Sequence, residues 1–391
     1  MRLSARSLSR VKADAPTFKT TITFDHQEYD MKKMFKLGCA GLGIQDSSTR
    51  KPVTLTELPI HEQFKLVREA EVWDFIDRIP NNHQELDEYI KGSQTYNLPV
   101  LSGSGCYTLG FDEEQIKKNL DLTLEVGGKY HNFMIWAKHK SGNYVSNEDV
   151  AICYLDAYEY AEKLGLIITF ENHVDMWSED YRRVSQVADL VEARGVPFNM
   201  AIDYSHCIFK IENEVEHAVS QMRGDNEAIA KLDPYNDDSF ADEWLGRNFV
   251  HWAQMRPAAP NGPLNWWGFE TGPWDAKGID RPGRSIQYPF QRPAKGEWHT
   301  EMWHAHKLAC TKEVTRKIID SYLKNEDSNL SLMTIDNINL NAYGLGWKYN
   351  MFADSCAYAN FVRELYAERA TIHDTRSKVS TSDFISQFRA D

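Results

Sequence analysis

The feature that most constrains the fold of this chain is the repeated alternation of short apolar runs with segments of helical periodicity. A short run that is apolar throughout is typical of a strand covered on both faces by helices. Eight such runs predict an α/β fold, a closed (β/α)8 TIM barrel rather than an open sheet. The predicted strands are residues 36–44, 72–76, 98–101, 132–136, 166–170, 198–202, 248–252 and 330–335.

The length of 391 residues fits one large α/β domain. We predict an N-terminal arm over residues 1–30 and a single barrel domain over residues 31–391. A long insertion at about residues 257–298, rich in proline, glycine and tryptophan, lies between predicted strands seven and eight. It is too long for an ordinary connection, so we expect a lid or an interaction surface.

Composition narrows the choice of partner and compartment. The formal net charge of −13 argues against a nucleic acid or an anionic membrane, because both select basic surfaces. A polar or neutral small molecule suits the chain better. No apolar run reaches the length of about 18 residues that could span a bilayer. The six cysteines include no CxxC pair and are expected to be reduced. The arginine- and serine-rich start faintly resembles an organellar presequence, but we favour a flexible arm of a cytoplasmic protein.

Acidic and imidazole side chains follow the last four predicted strands. In barrels of parallel strands the carboxyl ends meet at one face, so these side chains are expected to converge on one pocket. A mixed carboxylate and imidazole set suits Mn²⁺, Mg²⁺ or Zn²⁺. Such a metal polarises a carbonyl, so that a nearby base can remove a proton from the adjacent carbon. His173 is the first candidate for that base, since it lies two residues beyond Glu171 and should share its side. The strand-end residues are Glu171, His173, Asp203, His206, His251 and Asp336.

With Glu171, Asp203 and His251 at strand ends, the chain resembles the xylose isomerase-like barrel superfamily of sugar isomerases, epimerases and lyases over roughly residues 35–340. The resemblance implies one divalent metal, with Mn²⁺ preferred and Mg²⁺ or Zn²⁺ as alternatives. Its ligands would be Glu171, Asp203 and His251, with Asp336 standing where the family has a glutamate. Because aspartate reaches less far, Glu270 and Glu297 are alternative fourth ligands. The resemblance also implies substrate contacts for His206 and Arg256, and Trp136 is a further candidate.

A closer resemblance is to the large subunit of the C-glycoside deglycosidases. It rests on the Phe-Glu-Asn-His stretch at residues 170–173, the insertion, and the tail at residues 341–350. It implies a lyase that removes the C2 proton of a 3-keto C-glycoside and breaks the bond to the aglycone by β-elimination. It also implies a smaller β-rich partner subunit in a hetero-oligomer. The tryptophans of the insertion would then stack on the aglycone or pack on that partner; they are Trp266, Trp267, Trp274 and Trp298.

Other functions remain open at this stage. A ketose 3-epimerase or a sugar isomerase would act through an enediolate and would need a second base. A non-catalytic scaffold subunit would keep the barrel and lack the metal. DNA-repair nucleases of the superfamily use three metals and more strand-end histidines, and the acidic composition counts against them. His173 could instead orient Glu171, and Arg256 could pair with a carboxylate.

Overall fold

The computed structural model describes residues 33–44, 58–262, 286–295, 303–338, 343 and 349–378. Within them, eight parallel strands close into a barrel in the order of the chain, and the last strand pairs with the first. The predicted (β/α)8 barrel is confirmed. The strands are β1 (Lys36–Ala40), β2 (Phe75–Asp77), β3 (Val100–Tyr107), β4 (Tyr130–Ile135), β5 (Ile167–Glu171), β6 (Met200–Ile202), β7 (Val250–Met255) and β8 (Leu332–Ile335).

Helices cover the outside of the barrel and connect its strands. Between β6 and β7 the chain forms four short helices in place of one, and a final long helix follows β8. The helices are α1 (Ile60–Glu69), α2 (His83–Tyr96), α3 (Glu113–Glu125), α4 (Asn147–Leu164), α5 (Arg182–Glu192), α6 (Ser205–Ile208), α7 (Glu214–Val219), α8 (Asn226–Ala230), α9 (Phe240–Gly246), α10 (Ala309–Lys324) and α11 (Met351–Lys378). No helix in the described part of the chain is long and apolar enough to cross a membrane.

Apolar side chains fill the amino-terminal half of the barrel interior. Phe75, Ala201, Trp252 and Leu332 form one buried cluster there. Gly38 permits it, because a Cβ at that position would collide with the Phe75 ring. The indole nitrogen of Trp252 donates to Thr334 Oγ1 at 2.9 Å, so its polar atom is satisfied within the apolar layer. The barrel is therefore closed by packed side chains at this end, and its polar groups lie towards the carboxyl ends of the strands.

Two strand boundaries differ from the sequence prediction in ways that matter for the site. β3 continues through residues 102–105, a glycine-rich stretch predicted as a loop, and ends at Tyr107. β7 runs to Met255, three residues beyond the predicted end. Residues 1–32 lie outside the described residues, as do residues 263–285 and 296–298 of the insertion, which contain Trp266, Trp267, Trp274 and Trp298.

Candidate active site

A polar cavity of about 390 Å³ opens at the carboxyl ends of the strands. Side chains from β2, β3, β5, β7 and β8 or from the residues that follow them line it, which is the usual position of active sites in this architecture. The polar lining residues are Asp77, Arg78, Asn81, Ser104, Gln115, Asn119, Glu171, His173, Gln254 and Asp336.

Glu171 is the last residue of β5 and its carboxylate points into this cavity. Asn132 donates its side-chain amide to Glu171 Oε2. With its amide nitrogen turned towards Glu171, Gln254 donates to both carboxylate oxygens at 2.8 and 2.9 Å. Burial raises the pKa of Glu171 well above its ordinary value, and the negative charges of Asp203 and Asp336 raise it further. The proton-bound form of this carboxyl is therefore more favourable than it is for a glutamate in water.

His173 is held as a neutral imidazole with a defined tautomer. Its Nδ1 lies 2.6 Å from the Val174 carbonyl oxygen, which can only accept, so Nδ1 carries the hydrogen. Nε2 is then an acceptor, and it receives the hydroxyl of Tyr343 at 2.6 Å. Burial lowers the pKa of His173 well below its ordinary value, and neighbouring His206 lowers it further. The predicted base is thus unprotonated, with its lone pair engaged by a phenol.

His206 lies behind His173, with ring centroids 4.1 Å apart. Its Nε2 is 3.2 Å from Asp203 Oδ2, while its buried Nδ1 has no hydrogen-bond partner among the described residues. Burial lowers the pKa of His206, although Asp203 opposes that effect. His206 does not line the cavity, so the predicted substrate contact is not formed by this arrangement.

Arg256 joins two of the predicted metal ligands to each other. Its guanidinium is fully buried and forms ion pairs with Asp203 Oδ2, at 2.7 Å, and with the Asp336 carboxylate. Burial by itself would raise the pKa of Asp203, but Arg256 and then His206 hold it below the ordinary value. Burial raises the pKa of Asp336, against the influence of Arg256. Arg256, predicted to contact substrate, contacts these carboxylates instead and does not line the cavity.

His251, predicted to be a metal ligand, does not lie with the group of possible ligands that the described residues form. The prediction assumed that strand seven ends at residue 252, but β7 continues to Met255. Alternate residues of a strand face opposite sides, so Trp252 and Gln254 face the interior while His251 faces the helices. Its carbonyl oxygen accepts from Ser331, just before β8 begins, which places it near the amino-terminal end of the barrel. Gln254 occupies the interior position that the prediction gave to a histidine.

The remaining predicted residues have mixed outcomes. Asp336 follows β8 and lines the cavity, as expected for a strand-end carboxylate. Trp136 follows β4, where its backbone nitrogen donates to the Tyr107 carbonyl oxygen, but it does not line the cavity. Glu270 and Glu297, the alternative fourth ligands, lie outside the described residues.

The donor atoms fit a divalent metal, although not with the predicted ligand set. One ligand atom from each of Glu171, His173 and His206 lies within 4.8 Å of the others. The Glu171 carboxylate accepts from two neutral amides, and the buried Nδ1 of His206 has no hydrogen-bond partner among the described residues. By contrast, Asp203 and Asp336 already hold a guanidinium. Two unit charges of like sign 4 Å apart repel by about 4 kcal/mol at an effective dielectric constant of about 20, and a divalent ion doubles this.

Several functional-looking residues were not found from the sequence. Asn132 and Gln254 orient Glu171 from β4 and β7; Asn132 begins a run that reads as an ordinary strand, and Gln254 lies two residues beyond the predicted end of strand seven. Burial raises the pKa of Asp77, at the end of β2, to about 8, although a hydrogen bond from Ser102 at 2.8 Å opposes the rise. Asp77 directly follows an apolar run, and that signal could have identified it. Tyr343 is separated from His173 by 170 positions, so no local pattern indicates their contact.

Comparisons with known proteins concern only the fold of this chain. No family model matches the chain, and no curated protein matches it. Among solved structures, D-allulose 3-epimerase from Methylomonas sp. is 12% identical with a TM-score of 0.48, covering 87% of this chain and 99% of that one. The 3-keto-D-glucoside 4-epimerase from E. coli is 13% identical with a TM-score of 0.45, covering 84% and 100%. The IOLI protein with a zinc atom is 13% identical with a TM-score of 0.46, covering 85% and 99%. At these identities the likeness is one of barrel architecture, so the chemistry of this chain is read from its own side chains.

Proposed function

We propose that the chain is a sugar isomerase or epimerase that moves a proton at a carbon next to a carbonyl group. The observation that supports this most directly is the presence of two buried carboxyl groups with raised pKa values, Glu171 and Asp77, in one polar cavity. Isomerisation and epimerisation need one group to remove a proton and another to return one, and both work best with pKa values near the operating pH.

The lining favours a neutral, hydroxyl-rich substrate. Amides and a hydroxyl, which pair with sugar hydroxyls, come from Asn81, Ser104, Gln115 and Asn119. Three of the described lining residues are carboxylic acids, whereas Arg78 alone is cationic. An excess of acids disfavours sugar phosphates and sugar acids by charge repulsion. A monosaccharide or a keto sugar without a charged group suits the cavity best.

The residues divide the proton transfers between them. Glu171, fixed by two amide donors, accepts the proton from the carbon next to the carbonyl. Asp77 is protonated at neutral pH, because its pKa is about 8, so it can donate to the oxygen on which charge develops and take back a hydroxyl proton when Glu171 returns its own proton to carbon. A divalent metal at Glu171, His173 and His206 would supply Lewis-acid polarisation of that carbonyl. Asn132 and Gln254 keep the Glu171 carboxylate aimed at the cavity throughout.

The test is solvent deuterium exchange. The full chain, supplied with Mn²⁺, Mg²⁺ or Zn²⁺, is incubated in D₂O with neutral ketoses and aldoses and with their phosphates, and C–H exchange and product sugars are followed by NMR. We expect exchange with neutral sugars, loss of exchange in Glu171→Gln, and full activity in Glu227→Gln, a control on the exposed surface. Exchange that survives in Glu171→Gln, or that prefers phosphates, would contradict the proposal.

A second candidate is the β-elimination of a 3-keto C-glycoside, which needs one base. The observation that favours it is the His173–Tyr343 pair, in which a neutral imidazole presents an acceptor nitrogen beside a phenol. The smaller β-rich partner subunit belongs to this candidate. Adding a 3-keto glycoside to the same assay separates the two functions, because elimination releases aglycone whereas epimerisation exchanges hydrogen without release. Neither exchange nor release, with no bound metal, would instead favour a scaffold subunit.

A further inference from the structure

Arg256 has an unusually complete set of partners for an arginine beside a cavity. Its Nε donates to the backbone oxygen of Asp336 at 2.8 Å. One terminal nitrogen donates to Asp203 Oδ2 at 2.7 Å and the other to the Asp336 carboxylate. Each guanidinium nitrogen therefore has an acceptor, and two of these acceptors are charged, the strongest class of hydrogen bond.

The guanidinium is also enclosed by its surroundings. Ser205 Oγ accepts from the nitrogen that binds Asp203, at 2.9 Å. The Tyr343 ring covers the guanidinium carbon at 4.5 Å, within the range of a cation–π contact. Arg256 is 1% exposed. A side chain held on every side in this way contributes charge to the site without touching what enters it.

We infer that Arg256 is a built-in cation of this site, which permanently neutralises Asp203 and Asp336 and restricts a divalent metal to the side formed by Glu171, His173 and His206. Oδ2 of Asp203 and Oδ2 of Asp336 both face the guanidinium, and Oδ1 of Asp203 accepts from Ser205. Like charge repels a second cation from the same pair. This inference rests on the proposed function only for the location of the site. Its tests measure cation binding and stability, so it can fail while the proposed activity is found, and the reverse.

The first test compares Mn²⁺ binding to the full chain by calorimetry and elemental analysis. Asp336→Asn is expected to retain wild-type Mn²⁺ affinity within about threefold, because its carboxylate serves the arginine. Glu171→Gln and His206→Ala are expected to lose affinity by about tenfold to a hundredfold or more. His251→Ala is the matched histidine control and should bind as the wild type does. Loss of Mn²⁺ in Asp336→Asn as severe as in Glu171→Gln, or no binding by the wild type, would overturn the restriction of the metal.

The second test removes the built-in cation. Arg256→Ala leaves two facing carboxylates, and low millimolar guanidinium chloride or MnCl₂ should raise its melting temperature by replacing the lost charge. Arg183→Ala is the matched control, because that guanidinium donates only to neutral oxygens, those of Asn147, Trp177 and Val145. It should show no such rise. Arg256→Lys, which keeps a positive charge, should respond less than Arg256→Ala.

A variant that does not fold still allows a decision. Arg256→Ala combined with Asp203→Asn and Asp336→Asn removes all three charges, so it should fold and should be insensitive to both added cations. Equal responses of Arg256→Ala and Arg183→Ala, or a triple variant that is stabilised by Mn²⁺ as strongly as Arg256→Ala, would overturn the role of Arg256.

Discussion

The two halves of the site differ in how their charge is balanced. On one side, Asp203 and Asp336 are buried against Arg256, and every partner is another protein group. On the other side, Glu171 is bound only by neutral amides and faces the cavity. The first half is satisfied by the fold itself, whereas the second keeps a charge that a proton, a metal or a substrate can compensate. Strand-end carboxylates with similar sequence signals are therefore paired with a cation of the fold in one place and left facing the cavity in the other.

The largest expected effect is a loss of stability on the side of the site formed by Asp203, Asp336 and Arg256. Arg256→Met leaves Asp203 and Asp336 buried without their counter-charge, and breaking a buried ion pair in this way costs about 3–5 kcal/mol of unfolding free energy. Urea denaturation measures it. A loss below about 1 kcal/mol, the range of an exposed salt bridge, would show that the two halves do not differ.

On the Glu171 side of the site we expect the opposite: stability is kept and activity is lost. Glu171→Gln preserves the shape of the side chain and removes a charge that burial disfavours, so the unfolding free energy should stay within about 1 kcal/mol of wild type. Proton exchange at the substrate carbon should fall by about 10²–10⁴-fold, the usual contribution of a general base. Stability is read from urea denaturation and exchange from NMR. A variant that unfolds readily but keeps full exchange would reverse the comparison.

Asp77 gives a further test, because its buried carboxyl makes the unfolding free energy depend on pH. Its pKa is raised from 3.8 to about 8 in the folded chain, so the folded state holds a proton that the unfolded state releases between these values. Stability contributed by this group is fully present below pH 3.8 and falls as the pH rises towards 8, by roughly 6 kcal/mol at most, since each pH unit between these values costs about 1.4 kcal/mol. Asp77→Asn should lack this decline. The check is urea denaturation at pH 5 and pH 8, with the wild type alongside, and identical pH profiles would contradict the prediction.

The smallest expected effect lies where the two halves meet. Tyr343→Phe removes the hydroxyl that donates to His173 Nε2 and keeps the ring over Arg256. We expect a loss of about 0.5–1.5 kcal/mol in unfolding free energy, the net value of one neutral hydrogen bond. Because Nε2 is released, Mn²⁺ affinity should rise by a few-fold. Calorimetry measures that affinity, and weaker Mn²⁺ binding would exclude His173 Nε2 as a ligand atom.

The sequence predicted the barrel well because its signal is local and repeated. All eight predicted strands overlap the observed ones, and Glu171 and Asp336 lie at strand ends as expected. The predicted position of His251 at a strand end depended on where strand seven stops. The residues after Trp252 no longer form an apolar run, although β7 continues to Met255. A strand boundary placed three residues too early changes which side chain meets the pocket.

The pairing of Arg256 could not be predicted in the same way. Its partners Asp203 and Asp336 are 53 and 80 positions away, and only barrel closure brings them together. Arginine near carboxylates also fits substrate binding, which is what the resemblance implied. The distinction depends on burial, and burial is a property of the assembled fold.

The packed layer around Trp252 has a consequence for how a ligand reaches and leaves the cavity. Phe75, Ala201 and Leu332 complete that layer, so within the described residues buried apolar side chains fill the barrel interior at the amino-terminal ends of the strands. Under the proposed function, substrate and product would then use the same opening, at the carboxyl ends of the strands. The released product would compete with incoming substrate for that opening. For a reversible conversion between sugars of nearly equal size, net flux would then follow the relative concentrations outside that opening.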